Sequence, residues 1–194
     1  MLVELMAKLG YRPLGKVDNA SRDIVDTLAK EGLNLPVDYA AFLRTFPLSG
    51  VFQNEIVFQC DKPSPWADSG FDSLNALFAH HTSTSNDLLK VRETFLEELP
   101  TYFLIIGEVE GSSPLCLDTR KQSLGDIYIW NRESQDISAP ALFLVCHGFS
   151  EFLQRLQIAA DSSLAASPKL IEFSLSDELR AKAAELLAKR AKEQ

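Results

Sequence analysis

Apolar positions repeat at two spacings along this chain, and the places where one gives way to the other mark out the expected elements. Residues 2–9 form a short amphipathic helical pattern. "DNASRDIVDTLAKEG" forms a second, with Ile24, Val25 and Leu28 on its apolar face, Asn19 or Ser21 as cap and Gly32 as its stop. In "NLPVDYAAFLRTFPLSGVF", residues 34–52, Leu35, Tyr39, Phe42, Leu43 and Phe46 make a helical stripe. Pro36 suits the first turn of that helix, where a missing N–H costs nothing, and Pro47 and Gly50 end it. The period then drops to two in "VFQNEIVFQC": Ile56 and Phe58 face one way and Glu55, Val57 and Gln59 the other, as in a strand.

Further on, "DKPSPWADSGF" reads as an extended loop with Trp66 either partly exposed or tucked under the loop itself, and "SLNALFAHH" as a short helix. Asn86 or Asp87 caps a helix over "LLKVRETFLEEL", which Pro100 ends. Three apolar runs follow, "YFLIIGEV" (102–109), "SPLCLDT" (113–119) and "GDIYIWN" (125–131), separated by turn residues, so they predict an antiparallel meander. Ile127 and Ile129 point to one side of it, Tyr128 and Trp130 to the other. "ALFLVC" predicts one more strand. "GFSEFLQRLQIA" predicts a closing helix with Ser150 as cap and Phe149, Phe152, Leu153 and Leu156 inward. The expected architecture is α+β: a mostly antiparallel sheet with helices packed around it, in one domain over residues 1–159. Residues 160–175 read as a linker and 176–194 as an amphipathic C-terminal helix, with Glu178–Lys182 and Glu185–Lys189 pairs one turn apart. Its leucine seam either packs back on the domain or meets a second copy, leaving monomer and homodimer both open.

Composition narrows the function. With 194 residues, 46% of them hydrophobic, the chain has enough for a sizeable core. A net charge of −8 repels phosphate backbones and anionic lipid headgroups, so neither nucleic acid nor membrane is an expected ligand; the charge serves solubility alone or complements a basic protein, the first being the commoner case. The first residues show no signal-peptide pattern, and no apolar run approaches the length of a membrane span. Cys60, Cys116 and Cys146 are odd in number and sit in or beside apolar runs, which predicts buried thiols and a cytoplasmic location.

Catalytic signatures do not emerge. The chain has no G-x-G-x-x-G, P-loop, G-x-S-x-G, H-E-x-x-H or paired C-x-x-C motif. Adjacent His80 and His81 diverge on a helix and read as a solvated helix end. Cys146 and His147 face opposite sides of a strand, which argues against a thiol–imidazole pair. Glu108, Glu110, Asp118 and Asp126 lie at strand ends of the meander, where carboxylates serve turns, could converge on a cation as in a metal-dependent hydrolase, or could form an acidic rim for a partner. The rim, with Trp66 as aromatic anchor, ranks above catalysis; no metal and no cofactor is expected.

Taken in order, three motifs resemble the SUKH superfamily, the Smi/Knr-like domains. They are the "LP-x-x-Y-x-x-F-L" helix (Leu35, Pro36, Tyr39, Phe42, Leu43), the meander marked by Ile106, Gly107, Gly111, Leu117, Asp118, Gly125, Ile127, Tyr128 and Trp130, and the Phe-x-x-Phe-Leu closing helix. The similarity covers about residues 20–158. It departs from the family pattern in "PLSG" after the first motif, where Asn-Gly or Gly-Gly is usual, and in the acidic "EVEGSS" turn. The resemblance implies a non-enzymatic α+β domain. Many bacterial members look like immunity proteins that bind and neutralise a cognate toxin, often a nuclease, and fungal relatives act as regulatory interaction proteins. An immunity-type role is therefore the first expectation and a housekeeping adaptor the second.

Overall fold

Alternating sequence in the middle of the chain lets each strand pair with the next, and the sheet grows nearly in chain order. The computed structural model describes residues 2–17, 24–64, 67, 70–82, 86–132 and 141–159. The expected linker and C-terminal helix, Trp66, and the caps Asn19 and Ser21 lie outside the described residues. Eight strands form one sheet: β1 (Tyr11–Pro13), β2 (Gly50–Gln59), β3 (Phe71–Leu77), β4 (Phe103–Val109), β5 (Ser113–Asp118), β6 (Ile127–Asn131) and β7 (Ala141–Cys146) lie side by side in that order, and β8 (Gln157–Ile158) pairs with β2. Every strand pairing is antiparallel. Among the described residues five α-helices accompany it: α1 (Leu2–Lys8), α2 (Ile24–Lys30), α3 (Val37–Thr45), α4 (Leu88–Thr94) and α5 (Phe149–Arg155). This is an α+β fold.

Aromatic packing fixes α3 and α5 to each other and to the sheet. Phe149 meets Tyr39 at 4.9 Å and Phe42 at 5.0 Å between ring centroids, and Phe152 meets Phe58 of β2 at 5.3 Å, within the range where edge-on and tilted pairs attract. Tyr39, Phe42, Phe58, Phe149 and Phe152 are among the largest fully buried side chains. On β4, Leu104, Ile105 and Ile106 are all buried, so the sheet is covered on both sides at its centre. There α4 contributes Val91, and Phe95 just after it packs edge-on to Trp130 at 5.8 Å.

The sheet curls until its ends approach. Just beyond β2, the Asp61 and Lys62 N–H groups donate to the Val145 and Leu144 carbonyls of β7 at 3.0 and 2.9 Å. Arg155 holds this junction, one Nη donating to the Gln59 and Val145 carbonyls and the other to the Asp61 and Glu151 carboxylates.

Three elements differ from the sequence reading. "SLNALFAHH" does not form a helix; its first residues belong to β3, between β2 and β4. The helix expected through Leu99 ends at Thr94, because Phe95 leaves helical geometry (φ −107, ψ 13) and turns toward Trp130. The closing helix ends at Arg155, and the next residues become β8 on the edge of β2. Its N-cap position is taken by Gly148, and the Ser150 N–H is satisfied from outside the helix, by Asp38 Oδ2 at 2.7 Å. The Asp87 cap does form, accepting from the Lys90 N–H at 3.1 Å. Gly107 serves a close approach: a Cβ there would stand 2.4 Å from the Ala76 carbonyl oxygen.

Candidate partner-binding surfaces

The four meander carboxylates divide between the two ends of the sheet. Asp118 pairs with Phe103 at one end of β4, whereas Glu108 lies near the other, five residue steps or about 16 Å away. They cannot share one cation or one substrate bond, and among the described residues no group of three or more His, Cys, Asp or Glu side chains is placed to hold a metal.

Asp118 is not on a rim. Its side chain is 0% exposed and organises the β5–β6 turn: Oδ1 accepts from the Arg120 backbone N–H at 2.9 Å, Oδ2 accepts from the Ser123 hydroxyl at 2.8 Å, and the Arg120 guanidinium donates to both oxygens. Burial on its own would raise this carboxyl, but the Arg120 and Ser123 donors outweigh it and hold it below the ordinary aspartate range. Arg120 in turn lies 4.2 Å over the Tyr102 ring. The backbone closes the same turn, with the Asp118 N–H donating to the Asp126 carbonyl and the Gly125 N–H to the Asp118 carbonyl, both at 2.9 Å.

Asp126, beside it, is partly exposed. Its carboxylate accepts from the Tyr128 hydroxyl at 3.3 Å and lies 3.0 Å from His147 Nδ1, whose side chain is 64% exposed. The His147 N–H donates to Glu151, and Asp38 accepts from Ser150, so Asp38, Asp126 and Glu151 meet around the start of α5. Cys146, next to His147, points inward; burial pushes its thiol up to about 11, and burial raises Cys60 and Cys116 as well, so these are unreactive core thiols. His80 and His81 do not form a solvated helix end: His80 Nδ1 lies 3.0 Å from Asp87 and the His81 N–H donates to the same carboxylate.

At the opposite end of the meander a groove of about 370 Å³ opens between α4 and the β4–β5 hairpin. Phe78, Val91, Phe95, Ile105 and Pro114 give it apolar walls, and Glu108, Ser112 and Arg132 stand among its lining residues. Glu108 receives only a 3.5 Å contact from Ser112, and Glu110 is exposed in the adjoining turn. Arg132 lies 4.6 Å over the Phe95 ring and 3.4 Å from Glu98. The groove was not visible in the sequence: Val91 and Phe95 read as an ordinary core stripe, and nothing in the spacing says that the wall facing them stops short.

The SMI1/KNR4 family model, SUKH-1, matches residues 20–155, which runs from before α2 to the last residue of α5. This chain belongs to the SUKH-1 family. No curated protein and no solved structure matches it significantly. In this SUKH domain the motif residues Tyr39, Phe42, Leu43, Ile106, Leu117, Ile127 and Trp130 are all buried, and Gly125 (φ +95) makes the sharp turn beside Pro36. These positions of the family pattern are framework. No helix among the described residues is long and apolar enough to cross a membrane.

Proposed function

We propose that this SUKH domain is a non-enzymatic protein-binding module of the immunity type, which neutralises a basic toxin such as a nuclease by occupying it. The observation that carries the reading is the separation of the meander carboxylates. Asp118 is buried in its own turn and stands a strand length from Glu108, so these two do not form an acid/base pair, and Glu108 and Glu110 are the meander acids left to meet a partner's charges. Charge supports it. Residues 160–194 hold six acidic and six basic side chains, so the whole net charge of −8 resides on the first 159 residues, the part that contains the family match. A nuclease must present a basic cleft to its substrate, and an acidic domain of this size is complementary to such a cleft in sign.

The test is affinity capture of the tagged full chain from its source cells at low and moderate salt, followed by co-expression of the captured protein in a host that lacks this chain. A stoichiometric basic partner that is released by salt, and whose toxicity the full chain relieves, is the expected result. A partner that is harmless alone would move the assignment to a housekeeping adaptor of the same fold, and the absence of any partner would overturn protein binding itself.

A further inference from the structure

We propose that the groove between α4 and the β4–β5 hairpin is the docking site, and that its occupant is an apolar side chain of a basic protein partner presented next to lysine or arginine. The inference rests on the protein-binding reading above and deepens it by naming the surface and the chemistry of what it takes.

Two independent features converge there. The first is shape: a concavity of about 370 Å³ with walls from Phe78, Val91, Phe95, Ile105 and Pro114 is large enough for a bulky side chain, and an apolar anchor in a desolvated pocket supplies most of the energy in protein interfaces. The second is charge. Glu108 lines the groove, Glu110 follows in the adjoining turn, and exposed Glu98 lies 3.4 Å from Arg132, itself a lining residue. Against these three carboxylates stands one cation of the lining, Arg132. A net negative mouth around an apolar floor favours a cationic rim around an apolar tip, and disfavours an acidic peptide or a nucleic acid. Arg132 is held by stacking on Phe95 and by one long ion pair to an exposed glutamate, so it can turn aside without breaking a buried bond.

The other candidate surface, at the start of α5, is less suited. Asp38, Asp126 and Glu151 there are already engaged by Ser150, His147 and Arg155.

The test uses the full chain in its source cells with a photo-crosslinking phenylalanine derivative placed at Thr94, which lines the groove, or at Val37, an exposed residue of α3 beside Asp38. The expected result is a cross-link from Thr94 and not from Val37, to a protein of high isoelectric point, at a peptide where an apolar residue adjoins lysine or arginine. Thr94→Trp, which fills the groove from the exposed side of α4, is expected to weaken capture of that protein at least tenfold while leaving the thermal midpoint unchanged. Glu108→Gln with Glu110→Gln is expected to slow association and flatten its salt dependence. A cross-link from Val37 alone, or undiminished capture by Thr94→Trp, would overturn the groove assignment and leave protein binding standing. A cross-linked peptide without the apolar and basic pair would overturn the stated chemistry. No cross-link from either position, with nothing captured by the wild-type chain, would sink both readings.

Discussion

Tyr39 carries a hydroxyl that has no use in this core. The residue is fully buried, its Oη finds no hydrogen-bond partner among the described residues, and burial raises its pKa well above the ordinary tyrosine value. Leaving a buried polar group unpaired costs about 1–3 kcal/mol, so Tyr39→Phe is expected to raise the urea midpoint, or at the least not lower it, at constant slope. Asp118 is the opposite case, a buried polar group whose every need is met. Asp118→Asn removes charge-assisted bonds from Arg120 and Ser123 and is expected to cost about 2 kcal/mol in urea unfolding. The sign with pH follows from its lowered folded pKa. Unfolded, the carboxyl titrates near about 3.9, so its stabilisation is complete above that value and disappears as pH falls through the lower folded one. Urea midpoints of the wild type should therefore drop more steeply in acid than those of Asp118→Asn. Sequence could place Asp118 and Glu108 at strand ends but not separate their fates. What decides between them is the Arg120 guanidinium, two residues on, folded back with Ser123 over Asp118, whereas Glu108 receives a long contact from Ser112.

Among the elements, β3 shows what hides a strand. Leu74 and Leu77 are both buried and three residues apart, a helical spacing in a stretch rich in good helix formers. A register shift between Leu74 and Ala76 interrupts the alternation that would have betrayed it. Asp72, buried and bonded to Ser64 and Cys60, removes the remaining apolar cue by placing a carboxylate where the period asks for a hydrophobe. The meander was legible because its three strands are short, apolar and bounded by glycine and serine, and β1 and β8 were not, since two or three residues carry no period. α5 depends on a cap from elsewhere in the chain, the Asp38 carboxylate on Ser150, which no local motif reveals. Asp38→Ala is expected to cost about 1 kcal/mol and to speed hydrogen exchange in the first turn of α5 before other helices respond.

At the scale of the molecule, the last helix and strand of the described fold complete a structure begun by its first half. Phe149 and Phe152 pack on Tyr39, Phe42 and Phe58, and Arg155 ties the Gln59–Asp61 segment to β7, so the decisive contacts join residues about a hundred positions apart. A chain stopped after His147 is expected to lose cooperative urea unfolding, followed by Trp130 fluorescence, since Tyr39, Phe42 and Phe58 would lose the Phe149 and Phe152 rings that pack on them. Such wide separation sets an order on the ribosome: Tyr39, Phe42 and Phe58 emerge early and wait, unburied, until α5 has been made. During that interval the nascent chain presents a row of aromatic rings with no partner, so its yield in cells should depend on chaperone supply more than its finished stability suggests.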